Sequence, residues 1–418
     1  MFCIPNKMFL QKMFELTKSL EDAKYPLLGP NIRGLFWCGL WQFGTKFHKN
    51  AFNTIHFISV MFVISLYTQL YVMREDTMMI LFNISMPFLS LVSLSKTLYF
   101  ISNKSDWRKL VTNISKEEIK EIESNDNTII KIITNYTVYS RVLTYGYWYI
   151  VFLTNIITIL VPFIKYLTAS EYRAMVQNGT EPYPQVMLSY FPFDNSRMPG
   201  YLVGIIIHII MSSEGAAVIC FYDSTAVSIM SFLKGYLMIL KVKCERIFGE
   251  EAPASKSRVL MNIRECHRMH NFFIEQYEIF TSLLSPVMFI YVLVCSITIC
   301  CSVVQLSLEG ITFSQKLWVV EFATALSVQL FLYCWHSNEI SYEACIIIII
   351  VTQGVFNSNW WRADVQIKKE LILLAGKLSP TFILHAGPFS TFSMSTYIEI
   401  MKGSYSFYTL FTQMQESS

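Results

Sequence analysis

The chain has 418 residues, of which 53% are hydrophobic and 15% aromatic, and its formal net charge is +3. Its mean hydropathy of +0.41 is too high for a soluble globular protein of this length and is typical of a polytopic membrane protein. The small net charge gives no reason to expect a nucleic-acid partner. No unbroken apolar stretch follows Lys7 and Lys12, so we expect no cleavable signal peptide and an N-terminus that stays in the cytosol.

Hydropathy predicts an all-α protein with seven membrane-spanning helices. The charged segment 103–140 is expected to form a solvated helical extension, because its acidic and basic residues recur at i, i+4 spacing. The segment 168–199 is polar and interrupted by prolines, and we expect it to lie outside the membrane. The predicted spans are residues 51–73, 78–101, 142–167, 201–232, 280–306, 317–333 and 392–413.

Lysine and arginine residues are concentrated on one side of this predicted topology. They are frequent before the first span and in segments 103–141, 234–268 and 362–377, and sparse in the segments between. The positive-inside rule therefore places the N-terminus in the cytosol and the C-terminus outside the cell. G-protein-coupled receptors have the reverse orientation, and their acidic-Arg-aromatic and Asn-Pro motifs are missing from this sequence. We therefore do not expect a G-protein-coupled receptor.

The Asn-x-Ser/Thr sequence at Asn178 lies in a predicted outside loop and is the candidate glycosylation site, although an unused site is equally compatible with the sequence. The cysteines fall in predicted spans or cytosolic segments, which does not favour a disulfide framework. Cys266, His267 and His270 lack a second ligand pair at a suitable spacing, so buried packing is favoured over a metal site. We expect no cofactor.

The sequence divides into three regions, residues 1–335, 336–391 and 392–418. The first contains the cytosolic N-terminal segment and six spans. The second contains a run of isoleucines too short to cross a bilayer, followed by an amphipathic stretch in which Val365, Leu371 and Leu374 share one face. We expect a cytosolic helical module that packs within this chain or against another subunit. An amphipathic helix on the membrane surface is the alternative.

The last region has the length of one membrane-spanning helix but contains a polar stripe. At helical spacing one face collects small and polar residues and a single leucine. This pattern is typical of a pore wall with an apolar constriction, and equally of a tight seam between helices. The residues of the stripe are Glu399, Gly403, Ser406, Leu410 and Gln413.

Four further charged residues fall inside or close to the predicted spans: Lys96, Glu214, Asp223 and Glu321. Charges in a membrane are costly and need partners. A structural ion pair between Lys96 and Asp223 is the simplest expectation. A connected chain of such charges would instead favour a secondary transporter, although the sequence has no inverted repeat. It also has no nucleophile, metal or phosphate-binding motif, so an enzyme is not expected.

The latter half of the chain resembles the insect odorant receptors. Their Tyr-Cys…Gly-Asn-Glu, Tyr-x-Ser-x-Trp and closing Ser-Tyr-Ser elements have counterparts here in the same order. Asp223 and the segment from Cys266 to Glu278 match more weakly. The matching segments are 333–339 (YCWHSNE), 356–360 (FNSNW), 387–392 (GPFSTF) and 404–410 (SYSFYTL). The spacing of Ser406 and Gln413 is also similar to a gustatory receptor signature, and this related family is the nearest alternative.

The resemblance implies a ligand-gated, non-selective cation channel that opens without a G protein. In that family the seventh helix of each of four subunits lines a central pore, and the cytosolic ends of helices four to seven form an anchor. The second cytosolic loop is short here, which is similar to an odorant-tuned subunit that assembles with a shared co-receptor into a heterotetramer. The resemblance also implies the plasma membrane of olfactory sensory neurons.

Site residues follow from the same resemblance. Leu410 corresponds to an apolar gate, Gln413 lies just outside it, and Glu399 lies at the inner approach. A small apolar odorant is expected to bind in the outer half of the bundle, with Asn155 and His208 as the polar contacts, and ordinary helix packing is the alternative for each residue. The candidate ligand-binding residues are Phe82, Met86, Trp148, Phe152, Asn155, Tyr201, Ile205, His208 and Phe322.

Overall fold

A computed structural model describes residues 18–42, 44–249, 255–307, 313–357, 364–377, 382–388 and 390–416. The described chain is a bundle of helices with one short antiparallel hairpin near its C-terminal end. The helices are α1 (Gly29–Trp37), α2 (Lys46–Val72), α3 (Thr77–Asn83), α4 (Ser85–Ser102), α5 (Lys104–Glu123), α6 (Asn127–Thr168), α7 (Ser170–Gln177), α8 (Gly200–Glu245), α9 (Lys256–Ser307), α10 (Phe313–Asn357), α11 (Val365–Lys377) and α12 (Met394–Glu416), and the strands are β1 (His385–Ala386) and β2 (Ser390–Thr391).

Within the described residues, five helices are long and apolar enough to cross a membrane: α2, α6, α8, α9 and α10. The other two predicted spans also coincide with helices. The second is divided between α3 and α4, because Pro87 has no backbone N–H and its ring clashes with the carbonyl of Asn83 in a continuous helix. The seventh is α12, whose Glu399 and Lys402 lower its mean hydropathy.

Four helices extend far beyond the predicted spans. α6 has 42 residues, α8 has 46, α9 has 52 and α10 has 45, so their lengths are about 63–78 Å, more than twice the ~30 Å hydrocarbon thickness of a bilayer. The predicted division between residues 335 and 336 therefore falls inside α10, and the isoleucine run continues that helix. The sequence did not reveal this continuity, because hydropathy locates the membrane-spanning part of a helix and not its end.

α8 is the central element of the fold. It packs against α1, α4, α6, α9 and α10, and almost every side chain from Val218 to Leu240 is buried. Aromatic residues fill the space around it: Trp107 stacks on Phe100 at 4.8 Å and meets Tyr222 edge-on. Burial on all sides of α8 explains why its sequence is apolar without a clear amphipathic period.

The helix α5 corrects one expectation from the sequence. Glu117, Glu118 and Glu121 are buried and do not face solvent. Arg268 Nη2 lies 2.6 Å from Glu117 Oε1, and Lys243 Nζ lies 2.7 Å from Glu121 Oε1. The i, i+4 spacing identified residues on one face correctly. It did not reveal whether that face meets water or basic residues on neighbouring helices.

The N-terminal segment is held to this cluster by an arginine. Arg141 is 1% exposed, and its Nη2 lies 2.6 Å from Glu21 Oε2 and donates to the Pro26 carbonyl at 2.7 Å. The Leu27 N–H donates to Glu118 Oε2 at 3.0 Å, and the Tyr136 hydroxyl donates to Glu118 Oε1 at 2.9 Å. The described segment before α1 is therefore an integral part of the end of the bundle that contains α5.

Glu118 gives this region a predicted pH dependence. Burial raises the pKa of Glu118 from its ordinary 4.5 to about 7, so the folded chain retains a proton that the unfolded chain releases. The carboxylate therefore costs stability increasingly as the pH rises from about 4.5 to about 7, and fully above that. We expect Glu118→Gln, which keeps an acceptor for Leu27, to stabilise the protein by about 1–3 kcal/mol at pH ~8 and less at pH ~5.

Thermal melting of the detergent-solubilised protein at both pH values measures this difference. Glu123→Gln, at an exposed position of the same helix, is the matched control and should show no such pH-dependent gain. An equal effect of Glu118→Gln at both pH values would contradict the prediction.

Candidate ligand pocket and pore helix

A cavity of about 100 Å³, which we call the inner pocket, lies between α4, α6, α8 and α10. Its walls are mainly apolar, with hydroxyl and amide groups on several sides. Three methionines contribute to the wall, and their unbranched side chains adapt easily to different shapes. The lining includes Met86, Tyr147, Thr154, Asn155, Met187, Met211, Ala216, Phe322 and Gln329.

The structure brings together three of the candidate ligand-binding residues in this pocket, Met86, Asn155 and Phe322. Asn155 also links two helices: its Nδ2 donates to Ser213 Oγ at 3.2 Å and its Oδ1 accepts from Ser212 Oγ at 2.7 Å. This amide therefore holds α6 against α8 at the wall of the cavity.

The other candidates lie elsewhere. Trp148 donates from Nε1 to Ser224 Oγ at 3.0 Å and packs edge-on against Phe221, and Phe152 is 65% exposed on the outside of the bundle. The side chain of Phe82 is outside the described part of the chain. Near the start of α8, Tyr201 and Ile205 are buried, and the Tyr201 hydroxyl donates to the Pro184 carbonyl at 2.9 Å. His208 Nε2 and Ser189 Oγ are hydrogen-bonded at 2.7 Å.

The lining of α6 explains why the sequence did not identify this pocket fully. Tyr147, Val151, Thr154 and Thr158 lie on one helical face, whereas Trp148 and Phe152 lie about 100° away. Choosing large aromatic residues therefore selected the adjacent face. Gln329, a polar residue within a predicted span, was the signal that could have located the floor of the pocket.

Below the inner pocket lies a buried ion pair, which the lining residues Tyr147 and Gln329 contact. Lys96 Nζ lies 2.5 Å from Asp223 Oδ1, and both side chains are almost completely inaccessible, which confirms the expected pairing. Asp223 Oδ1 also accepts from the Tyr333 hydroxyl at 2.6 Å. Its Oδ2 accepts from the Tyr147 hydroxyl at 3.0 Å and from Gln329 Nε2 at 2.5 Å. We call these five residues the aspartate network; it joins α4, α6, α8 and α10.

The aspartate network is continuous with the packing of α12. The rings of Tyr333 and Phe392 lie 5.9 Å apart, directly before α12 begins. Two residues earlier on α10, Phe331 meets Tyr397 of α12 edge-on at 5.6 Å. Contacting rings therefore join α10, just below the inner pocket, to the start of α12.

One side of α12 packs against α9 and α10. The predicted stripe lies on the other side, where the described part of the chain does not cover it. Ser404 is 3% exposed and lies 3.5 Å from Cys300 Sγ on α9. On the other side Leu410 is 55% exposed, and the remaining stripe residues are exposed as well: Glu399, Gly403, Ser406 and Gln413. The structure thus places all five on one face, as the helical period predicts.

A sequence model described as 7tm Odorant receptor matches residues 76–405 of the chain. This match includes α3 to α11, both strands and half of α12. The chain belongs to the insect odorant receptor family. The ordered C-terminal motifs led to the same family, and this result favours it over the gustatory receptors and over any enzyme family.

Individual relatives of the receptor are distant. It is 23% identical over 197 residues to Odorant receptor 46a, isoform B, of Drosophila melanogaster, which is 45% of this chain and 49% of the relative. It is 23% identical over 224 residues to Odorant receptor 22b of the same species, 54% and 55% of the two chains. The chain therefore spans about half the length of the curated relatives it matches.

The structural similarity is much more extensive. The olfactory receptor OR5 of Machilis hrabei superposes with a TM-score of 0.78 over 96% of this chain and 100% of that one, at 13% sequence identity. The structure of OR5 in complex with eugenol gives a TM-score of 0.76 over 94% and 100%, at 14% identity. The receptor therefore has the seven-transmembrane fold of this family.

The remaining charges in the spans have local partners. Glu214 Oε1 lies 3.2 Å from His56 Nδ1, and its Oε2 accepts from Ser59 Oγ at 3.2 Å. Glu321 contacts the Thr154 hydroxyl at the wall of the inner pocket. These groups and the aspartate network lie in separate contacts, and the described hydrogen bonds do not join them into a chain of the kind a transporter hypothesis requires.

Asn178 directly follows α7 and is exposed in a turn. The turn is closed by the Thr180 hydroxyl, which donates to the Met175 carbonyl at 2.9 Å. Exposure is a requirement for attachment of a glycan, so glycosylation of Asn178 stays a prediction that the local structure permits.

Breaking the aspartate network by one substitution should be more damaging than removing both charges. Lys96→Met leaves Asp223 buried without its cation, and Asp223→Asn leaves Lys96 without its anion, which costs about 3–5 kcal/mol in each case. In the double variant Lys96→Met/Asp223→Asn, the amide oxygen still accepts from Tyr147 and Gln329, and the new Nδ2 can donate to the Tyr333 hydroxyl oxygen. We expect this double variant to recover most of the lost stability.

Fluorescence-detected size-exclusion chromatography after heating measures these differences. Lys104→Met, at the exposed start of α5, is the matched control and should melt like the unmodified protein. A double variant that melts as early as either single variant would show that the charges act independently.

Proposed function

We propose that this chain is an odorant-tuned subunit of a ligand-gated, non-selective cation channel that assembles with a shared co-receptor into a heterotetramer. Its place is the plasma membrane of olfactory sensory neurons, with the N-terminus in the cytosol and the C-terminus outside. Family membership and the distribution of lysine and arginine support this proposal. Gating needs no G protein, and the chain has no enzymatic role.

The observation that carries the proposal is the direct hydrogen bonding between the pocket and the aspartate network. Tyr147 and Gln329 line the inner pocket and donate to Asp223. A ligand that contacts either side chain changes the geometry around Asp223, and so the position of Tyr333 on α10. Because Tyr333 packs against Phe392, the binding energy biases the position of α12.

The ligand of the inner pocket is a small, mainly apolar volatile molecule. A cavity of about 100 Å³ is somewhat smaller than the ~150 Å³ cavity that admits benzene in an engineered protein core. Binding therefore requires Met86, Met187 and Met211 to change rotamer, which costs little for unbranched side chains. The complex of the related OR5 with eugenol supports a volatile of this size. Affinity then comes mainly from buried apolar area.

In the proposed channel the exposed stripe of α12 faces the pore. A ring formed by Leu410 and its counterparts prevents ion flow by excluding water, and displacement of the helices widens it. Ser406 and Gly403 then line the pore below the ring, Gln413 lies at the outer mouth and Glu399 at the inner approach. Lys402, which is also exposed, partly neutralises the effect of Glu399 on cations.

Residues 336–391 supply the proposed anchor between subunits. α11 packs Ile367, Leu371 and Leu374 inward against α9 and α10. Its other face leaves Ile372 68% and Leu373 57% exposed. Large apolar side chains exposed together on a cytosolic helix are typical of a surface that another subunit covers. The division into bundle, anchor and pore helix is part of this proposal.

Expression with and without the co-receptor, followed by current recording against an odorant panel, tests the proposed function. Odorant-evoked current only in the presence of the co-receptor supports it. Current without the co-receptor would favour a self-sufficient channel, and substrate flux without current would favour a transporter.

The inner pocket makes a specific prediction. Ala216→Phe places a ring in the cavity, so we expect it to raise the concentration of odorant needed for half-maximal current by at least about tenfold. Phe152→Ala removes a comparable ring from the outside of the bundle and is the control that should leave this concentration unchanged. Cell-surface labelling separates loss of binding from loss of expression. Equal sensitivity of both variants would exclude the inner pocket.

The proposed role of Leu410 in the pore makes a further prediction. Leu410→Ala shortens the side chain of the proposed gate, so we expect a larger resting current and altered ion permeability in the assembled channel. The contribution of co-receptor side chains to a shared pore makes the change partial. Ile398→Ala, at an exposed position of α12 off the stripe, is the control. Unchanged resting current and unchanged permeability in Leu410→Ala would rule out Leu410 as the gate.

A further inference from the structure

A second and larger cavity lies on the extracellular side of the inner pocket. It has a volume of about 480 Å³, within the range of small-molecule binding sites, and we call it the outer cavity. The outer ends of α3, α4, α6, α9 and α10 form its walls. Residues 182–188, between α7 and α8, form its roof.

The roof is attached to the bundle at both ends. The hydroxyl groups of Tyr172 and Tyr201 donate to the carbonyls of Pro182 and Pro184 at 3.0 and 2.9 Å. At the far end the Tyr190 N–H donates to the Ser65 carbonyl at 3.2 Å, beside the hydrogen bond between Ser189 and His208. These bonds hold the roof at a fixed height, so the cavity is a built feature of the fold.

The lining indicates the chemistry of a ligand. Tyr183, Trp318 and several prolines present flat apolar surfaces, which favour an aromatic ring. Gln305 Nε2 donates to the Leu81 carbonyl at 2.6 Å, which leaves the carbonyl oxygen of this amide for a donor on the ligand. Gln185 lies in the roof and has no hydrogen-bond partner within the described residues. A small phenol has the ring and the hydroxyl group that this lining can bind.

Met187 separates the two cavities. Together with Met86 and Thr158 it lines both. Its side chain is 7% exposed and packs with Phe62, Leu66 and Met211 in a separate apolar cluster. A methionine has three rotatable bonds and no branch, so one rotamer change opens a connection without moving the backbone.

We propose that the outer cavity is a second binding site for a small phenol and that Met187 controls passage from it to the inner pocket. The outer site collects the ligand from the extracellular side, and the inner pocket, whose coupling to α12 rests on the proposed function, converts occupancy into opening. The inner pocket is smaller than the outer cavity. Met187, which lies between them, therefore determines how large a ligand can pass to the inner pocket and the aspartate network.

Equilibrium binding of tritiated 4-methylphenol to the full chain in lipid nanodiscs tests this proposal. We expect two molecules to bind to each chain. Gln185→Trp fills the outer cavity and should abolish one of the two binding events, whereas Ala216→Phe should abolish the other. Glu181→Trp, on an exposed residue of the same loop that lines neither cavity, is the matched control and should retain both.

The variant Met187→Ala, studied with a bulkier competing ligand, tests whether Met187 controls passage between the two cavities. In the unmodified chain we expect 4-tert-butylphenol to displace 4-methylphenol from the outer site alone, and in Met187→Ala from both sites.

Loss of one binding event in Gln185→Trp supports the outer site. If Gln185→Trp leaves binding unchanged, or if no binding of 4-methylphenol can be measured, the proposal is overturned. Displacement that Met187→Ala leaves unaltered overturns the role of Met187. The response to Ala216→Phe reports separately on the inner pocket, so failure of the outer site and failure of the proposed function give different results.

Discussion

A lysine and an aspartate buried 2.5 Å apart determine how α4, α6, α8 and α10 meet. An ion pair in a low-dielectric interior is stable only if further hydrogen bonds satisfy both partners. Here Tyr147, Gln329 and Tyr333 complete the shell of Asp223, and the Lys96 ammonium lies over the rings of Tyr222 and Tyr291. Each helix contributes a group that the others need, so their relative positions are set together.

The end of the bundle that contains α5 uses the same principle with more charges. Glu117, Glu118 and Glu121 are buried on α5, and their partners come from α6, α8, α9 and the N-terminal segment. The Arg268 and Lys243 side chains are 39% and 22% exposed, so these pairs are less costly than the fully buried pair of Lys96 and Asp223. A buried polar interface of this kind requires particular partners, which fixes the register of long helices that apolar packing alone would leave free to slide.

The sequence predicted the positions of the helices well, but it did not predict which face of a helix lines the pocket or packs against its neighbours. Six of the seven predicted spans each coincide with one helix and the second with the pair α3 and α4, since length and hydropathy are local properties. The pairing of Lys96 with Asp223 was also predictable, because a charge in a membrane requires a partner. The pocket was harder to predict. Trp148 and Phe152 lie on the face of α6 next to the face that carries Tyr147 and Thr154. An apolar helix has no polar pattern that shows which of its faces lines a cavity. Helix ends outside the predicted spans, such as that of α10, leave no hydropathy signal.

The uninterrupted length of α8 has a mechanical consequence. It has no internal proline and runs from Tyr201, which is hydrogen-bonded to the roof of the outer cavity, to Lys243, which pairs with Glu121. We therefore expect α8 to move as one stiff element. From Asp223, in the aspartate network, to Glu245 is about 33 Å along the axis, so a tilt of ~5° about Asp223 would displace the far end by about 3 Å. We therefore expect substitutions near Glu245, far from the inner pocket, to act on the same motion as substitutions beside it.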